Sequence, residues 1–366
     1  MAEEVRPDVS LSQGELPAGN ARDRHVLLSS KMLSGPANLF SLMCLGSRIK
    51  TLISCVLLGV FLTFAVSWRL AKSAHGKTCP PGILHRIVSL APSNTELIYA
   101  IGAQDKLVGV STMCDYPAAA KLKEKVGSFI SINLERLCRL APEAIFLVSG
   151  QEALASILKK QGFAVYILNN EKLASIPDNI RLLGALTGCE GKAAQLAGDF
   201  RQAMEELTGI TGSTAERPRV FFCVWPSPLL TAGAGSFLDG AVTVAGGINI
   251  ASDLKSSYPH FNEERLLLLH PDVVIMPPEA RGQSFWHQAP WTNLAAVKND
   301  RLYFLPCQVN DSLSRPTVRV LDGLWWLAAR LHPELSGRLE RWHARVAYRL
   351  LADNESRREC AGGWRR

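Results

Sequence analysis

One phrase occurs twice in this chain, and its recurrence limits the architectures open to it. Asn133-Leu134-Glu135-Arg136-Leu137 runs through Leu140 to Pro142-Glu143-Ala144-Ile145. Asn262-Glu263-Glu264-Arg265-Leu266 runs through Leu269 to Pro271-Asp272-Val273-Val274. Both read N-x-E-R-L-x-x-L-x-P-D/E-apolar-apolar, the second 129 positions after the first (264 minus 135). The pattern describes one unit: an Asn cap, two turns of helix stopped by Pro, then a buried strand. A solenoid would need three or more copies at a shorter period. One recurrence at domain-sized distance therefore predicts two lobes of like build, with a cleft between them where a ligand is favoured.

Around these two units, strand-like and helix-like segments alternate. Arg86–Leu90, 107–110, 144–148 and 164–168 read as strands, with helices over 92–102, 151–161 and 174–187 between and after them. That spacing predicts parallel pairing by right-handed crossovers. Glu190 to Leu207 carries apolar residues at helical spacing, including Ala193, Ala197, Phe200, Met204 and Leu207. One long helix as the sole crossing would hold the lobes at nearly fixed spacing, unlike two or three flexible strands. The second half repeats the alternation, with strands at 219–225 and 301–305 and helices at 236–245 and 316–331. The expected fold class is α/β: two Rossmann-like lobes joined by a rigid helix. The expected bounds are 85–188 for the N-terminal lobe, 189–215 for the linking helix and 216–335 for the C-terminal lobe. A basic helix or tail over 336–366 follows.

The first 84 residues are of another kind. Thr51 to Trp68 holds no charge, is flanked by Arg48, Lys50, Arg69 and Lys72, and reads as a signal peptide or membrane anchor helix over 51–71. Residues 1–50 read as a disordered tail, or as sequence ahead of a true start at Met43; 72–84 read as a linker. Everything after about residue 74 is then expected outside the cytoplasm, periplasmic and either free or tethered through 51–68. The formal charge of +7 sits largely at the ends and beside the apolar segment. No basic run interleaved with aromatics occurs mid-chain, which argues against nucleic acid. The nine cysteines form no C-x-x-C and no zinc spacing, so neither a metal site nor a disulfide framework is expected.

No catalytic motif stands out: there is no G-x-S-x-G, Walker loop, G-x-G-x-x-G after a strand, or H-E-x-x-H. Gly233-Ala234-Gly235-Ser236 opens a helix; it reads as an anion site at a helix N-terminus or as a plain strand-to-helix turn. Loops of both lobes carry Tyr116, Phe129, Trp225, Tyr258 and Phe261, with His260 among them. Parallel sheets take ligands beyond their carboxyl ends, and opposed aromatic loops suit a large, flat, partly apolar guest. The alternative is that each ring covers its own lobe's core. Glu135 and Glu264 fall in equivalent first helical turns, where the helix dipole alone favours an acid. Their equivalence also fits docking on basic residues of a two-fold symmetric partner.

With these residues in place, the chain resembles the substrate-binding proteins of vitamin and siderophore ABC importers, and within them the periplasmic cobalamin-binding protein family. The matching stretches are Arg86-Ile87-Val88-Ser89-Leu90-Ala91-Pro92-Ser93-Asn94-Thr95-Glu96-Leu97, Asp115-Tyr116-Pro117, Asn133-Leu134-Glu135, Leu230-Thr231-Ala232-Gly233, Ala245-Gly246-Gly247-Ile248-Asn249 and the second repeat, over roughly residues 85–335. The resemblance implies a carrier, not an enzyme, that holds a corrinoid between its lobes and passes it to a permease and its ATPase. It implies Glu135 and Glu264 as the acids that meet permease arginines. Tyr116, Tyr258 and Phe129 fall at aromatic contacts of that family, and Leu230 and Gly233 on its second-lobe loop. Val148 stands where the family's cobalamin binders carry a Trp, which leaves another corrinoid, haem or a ferric siderophore as other ligands. Arg315 and Arg319 either meet an anionic ligand or cap the last helix. Two rivals use the same lobes: a cofactor-handling enzyme with Cys114 at the cleft, and an anchored sensor that signals through 51–68.

Overall fold

The computed structural model describes residues 82–128 and 131–350. The expected tail, the apolar segment, most of the linker, Phe129 and the last sixteen positions lie outside the described residues.

The first half contains β1 (Ile87–Ser89), α1 (Pro92–Ala100), β2 (Leu107–Val110), α2 (Leu134–Leu140), β3 (Ala144–Val148), α3 (Glu152–Lys160), β4 (Val165–Leu168) and α4 (Ile176–Thr187). Its four strands are all parallel, in the order β2-β1-β3-β4. β3 is buried along its whole length, as a strand covered by helices on both faces must be. α5 (Glu190–Thr211) then carries the chain across as 22 residues of unbroken helix.

The second half follows with β5 (Arg219–Pro226), β6 (Leu229–Thr231), α6 (Phe237–Val244), β7 (Ile248–Asn249), α7 (Glu263–Leu269), β8 (Val273–Met276), α8 (Ala295–Lys298) and β9 (Leu302–Phe304). α9 (Cys307–Ser314), α10 (Val320–Leu331) and α11 (Ser336–Leu350) complete it. β7, β5, β8 and β9 are parallel neighbours in that order, which repeats the first sheet. β6 departs from the scheme, turning back antiparallel along the end of β5.

The repeated phrase builds the same frame in each half. Asn133 Oδ1 accepts from Arg136 N at 2.9 Å, and Asn262 Oδ1 from Glu264 N at 2.6 Å. Each helix stops at a left-handed residue ahead of the Pro, Ala141 at φ 42° and His270 at φ 45°. The acid after each Pro then holds the first strand of its sheet. Glu143 Oε2 accepts from Arg86 N at 3.2 Å, and Asp272 Oδ2 from Arg219 N at 2.7 Å. Arg86 and Arg219 return the favour by donating to the carbonyls of Leu140 and Leu269.

The halves share one apolar core. Phe146 and Leu183 from the first, Phe200 and Leu207 of α5, and Val220, Ile275 and Leu324 from the second belong to a single buried cluster. α5 is the sole chain crossing among the described residues, but it is not alone in bracing the halves. α11 lies along it, with Trp342 fully buried and its Nε1 donating to Ala203 O at 3.2 Å. The helix expected over 316–331 begins only at Val320, and a separate helix, α9, precedes it. Its apolar positions, Val309 and Leu313, are too few to show a period in sequence.

Candidate functional site

The parallel strands of each sheet end on loops that carry the expected site residues, in two groups. The first group joins the halves. Glu96, in α1, is buried, and its Oε1 accepts from Arg315 Nη1 at 3.0 Å and Arg319 Nη1 at 3.2 Å. Thr317 Oγ1 donates to its other oxygen at 3.0 Å. Arg315 Nη1 also reaches Asp115 Oδ1 at 2.6 Å, and the Arg319 guanidinium stacks 3.8 Å above the Tyr116 ring. Burial pushes the Glu96 carboxyl above its ordinary value, against the opposing pull of Arg319 and Arg315. Burial works against a charged Arg315 too, but its bonds to Asp115 and Glu96 prevail and hold its pKa above the ordinary value. Burial likewise acts to raise Asp115, yet the Arg315 bond and charge leave it lowered.

This arrangement gives Arg315 and Arg319 a partner that their sequence context does not reveal. Arg315 Nη1 and Arg319 Nη1 both point at Glu96 from the other half, and although Arg319 occupies the N-cap position of α10, no side chain caps that helix. Each pairs with a carboxylate from the other half, and an unpaired charge at that depth would be costly. The sequence signal that marks Glu96 is a lone acid in the otherwise uncharged stretch from Ile87 to Ala103. Only the partners, more than two hundred positions away, show its purpose.

The second group is a three-stranded antiparallel patch in the second half. β5 pairs β6, and β6 pairs the loop before α7, through Thr231 N to Pro259 O at 3.1 Å, Phe261 N to Leu229 O at 2.9 Å and a Leu230–His260 bridge. Leu230 and Gly233 on one loop, and Tyr258 and His260 on another, are thereby brought together. Gly233 is buried rather than open to a guest: a Cβ there would lie 1.9 Å from Ser256 O, so it serves the loop's close approach. Tyr258 is exposed, as is His260. Phe261 faces inward, 5.1 Å from Phe221, and belongs to its own half's core. Tyr116, half-buried, stands with the first group.

The Gly233–Ser236 turn is a cap rather than an open anion site. Asp239 Oδ2 accepts from Gly235 N at 2.9 Å, while Ser236 Oγ accepts from Asp239 N at 3.1 Å. The helix supplies its own anion. Cys114 is buried, with Thr95 Oγ1 3.1 Å and Ser111 Oγ 3.2 Å from its sulfur. Among the described residues no group of three or more His, Cys, Asp or Glu side chains is placed to hold a metal. Val148 is buried at the end of β3. Glu135 and Glu264 are exposed in the first turns of α2 and α7. A cavity of about 570 Å³ opens between the halves beside α5, lined by Leu173, Pro177, Phe200, Met204 and Val244 among others. None of the expected ligand residues lines it.

Two equivalent α/β halves, braced by a long helix and bearing loop-borne side chains at their strand ends, define a bilobal solute-binding protein. The chain belongs to the periplasmic binding protein family, which matches residues 87–309. It is 33% identical over 242 residues to a vitamin B12-binding protein of Vibrio cholerae, covering 65% of this chain and 86% of that relative. An uncharacterized ABC transporter substrate-binding lipoprotein of Bacillus subtilis is 29% identical over 257 residues, 68% of this chain and 80% of the relative. Among solved structures, the periplasmic vitamin B12-binding protein BtuF of Vibrio cholerae aligns at a TM-score of 0.61 and 31% identity, covering 68% of this chain and 96% of that one. A periplasmic heme-binding protein from Pseudomonas aeruginosa aligns at 0.59 and 25%, covering 69% and 94%.

Proposed function

We propose that this protein is the solute-binding component of an ABC importer, capturing a corrinoid between its halves and delivering it to a membrane permease and its ATPase. The observation that carries the reading is the 33% identity to a vitamin B12-binding protein across 86% of its length. The shared core and the Glu96–Arg315–Arg319 link favour a stiff body that closes little, so capture relies on a cleft already formed. No bond is made or broken in this cycle. Tyr116 would line the first half's wall and Leu230, Tyr258 and His260 the second's, with Phe129 kept as a further contact from the family resemblance. Glu135 and Glu264 would dock on permease arginines, from equivalent places on the two halves.

The protein acts outside the cytoplasm, and residues 51–68 serve either as a cleaved signal or as an inner-membrane anchor. Calorimetric titration with cyanocobalamin tests the ligand. Micromolar or tighter binding is expected; no heat with cyanocobalamin beside tight binding of haem would move the assignment to the second reading. That reading is favoured by the similarity to the Pseudomonas heme-binding protein, and by Val148 standing, in the family resemblance, where cobalamin binders carry a Trp. Changing both glutamates to Lys should abolish uptake in cells while sparing ligand affinity, and unchanged uptake would remove the docking assignment.

A further inference from the structure

The antiparallel patch carries a feature that the parallel scheme does not explain. Cys223 opposes Thr231, yet Trp225 opposes Leu230, so β5 advances two residues while β6 advances one. Val224 is the extra residue of a β-bulge. A bulge re-aims the side chains that follow it. Without it, Trp225 would fall in register with Leu229, whose side chain packs into the core. With it, Trp225 joins Leu230, and Leu230 in turn faces His260. Directly opposed residues on neighbouring strands share a face. The inward face is accounted for by Cys223, Thr231 and Phe261, all buried. Trp225, Leu230 and His260 therefore form one outward row across three strands.

The row has the chemistry of a flat binding wall. Trp225 is 46% exposed, and its Nε1 is fixed on Ser227 O at 2.8 Å, which orients the indole without covering its faces. Neither the indole face nor the imidazole has a partner among the described residues. Three strands at about 4.8 Å spacing put the outer side chains roughly 10 Å apart. That is the width of a tetrapyrrole ring, with an aromatic ring under each edge and Leu230 under the middle. We infer that Trp225, aimed by the Val224 bulge and flanked by Leu230 and His260, is the stacking platform of the second half, and that it selects a planar macrocycle. This rests on the proposed solute-binding role and assigns the wall that would make up for Val148 on the other side.

The test uses the full chain and three rings: cyanocobalamin, dicyanocobinamide and haemin. Binding is read by calorimetry and by quenching of indole fluorescence. For whichever ring the unaltered protein binds, Trp225→Ala should weaken affinity about ten-fold or more, and Trp225→Phe should stay within about three-fold. His260→Ala should weaken it by a smaller factor, and none of the three should move the melting temperature much, since both side chains are exposed. Tight ring binding with Trp225→Ala within about two-fold of the parent would overturn the platform and leave the carrier role standing. Failure of the parent protein to bind any of the three rings would overturn both.

Discussion

Removing the Glu96 carboxylate should unbalance the polar junction of the halves. Glu96→Ala deletes the acceptor of three bonds, from Arg315, Arg319 and Thr317, and leaves two guanidinium side chains only 17% and 15% exposed. Arg315 keeps Asp115 at 2.6 Å, so it is not stranded. Arg319 keeps only the Tyr116 ring and has no second carboxylate within 4 Å among the described residues. Breaking a buried ion pair by removing one partner costs about 3–5 kcal/mol, and Asp115's compensation of Arg315 puts this case near the lower end, about 3 kcal/mol. At roughly 2–4 °C per kcal/mol for a body of this size, the melting temperature should fall by about 6–12 °C. Denaturant unfolding, followed by far-ultraviolet circular dichroism, gives the free energy directly. Adding Arg319→Ala should recover part of the loss, because it removes the stranded charge; the cycle should give a coupling above about 1 kcal/mol. A loss under about 1 kcal/mol, or strictly additive single variants, would refute the assignment of this network as the interlobe tie.

Other perturbations probe the loops and the frame. Gly233→Ala should cost several kcal/mol, or shift residues 254–258 and weaken ligand binding, since the new methyl would meet Ser256 O; equilibrium unfolding and calorimetry read the two effects. Asn262→Ala should cost about 1 kcal/mol by uncapping α7, measured as a shift in the denaturation midpoint at constant slope. Burial pushes the Cys223 thiol up to about 12, so mass mapping after brief alkylation should find Cys138 and Cys307 modified and Cys223 untouched until the protein unfolds. The backbone bond from His85, helped by that from Arg86, lowers the Glu143 carboxyl from its ordinary 4.5. The stability it lends is therefore present above about pH 4.5 and lost as pH falls through its lowered folded value. Glu143→Gln should flatten the acid loss of stability below that pH, and an unchanged profile of melting temperature against pH would contradict the bond's role.

Much of the architecture is written locally. Asn caps, the Pro stops and the apolar pairs after them specify helix and strand within about a dozen residues, so the twofold plan and nearly every strand could be read in order. The 190–207 apolar stripe likewise announces α5, because its period depends on no distant partner. The site is a different matter. Gly233 appears in sequence as a ligand-loop glycine, yet a backbone oxygen from residue 256 explains it. Phe261 and Tyr258 look alike in sequence, and pairing with β6 sends one into the core and the other to solvent. Arg315 reads in sequence as a cation for an anionic ligand or for a helix end, and only the fold brings Glu96 and Asp115 to it from the other half. Trp225 owes its outward aim to one extra residue in a ladder whose register no local pattern reveals. Periodicity and capping act between neighbours along the chain, so the two halves and the helix joining them are legible from local pattern alone. Strand register and burial of charge depend on groups far apart in sequence, so which side chains stay exposed at the loops emerges only when the chain folds.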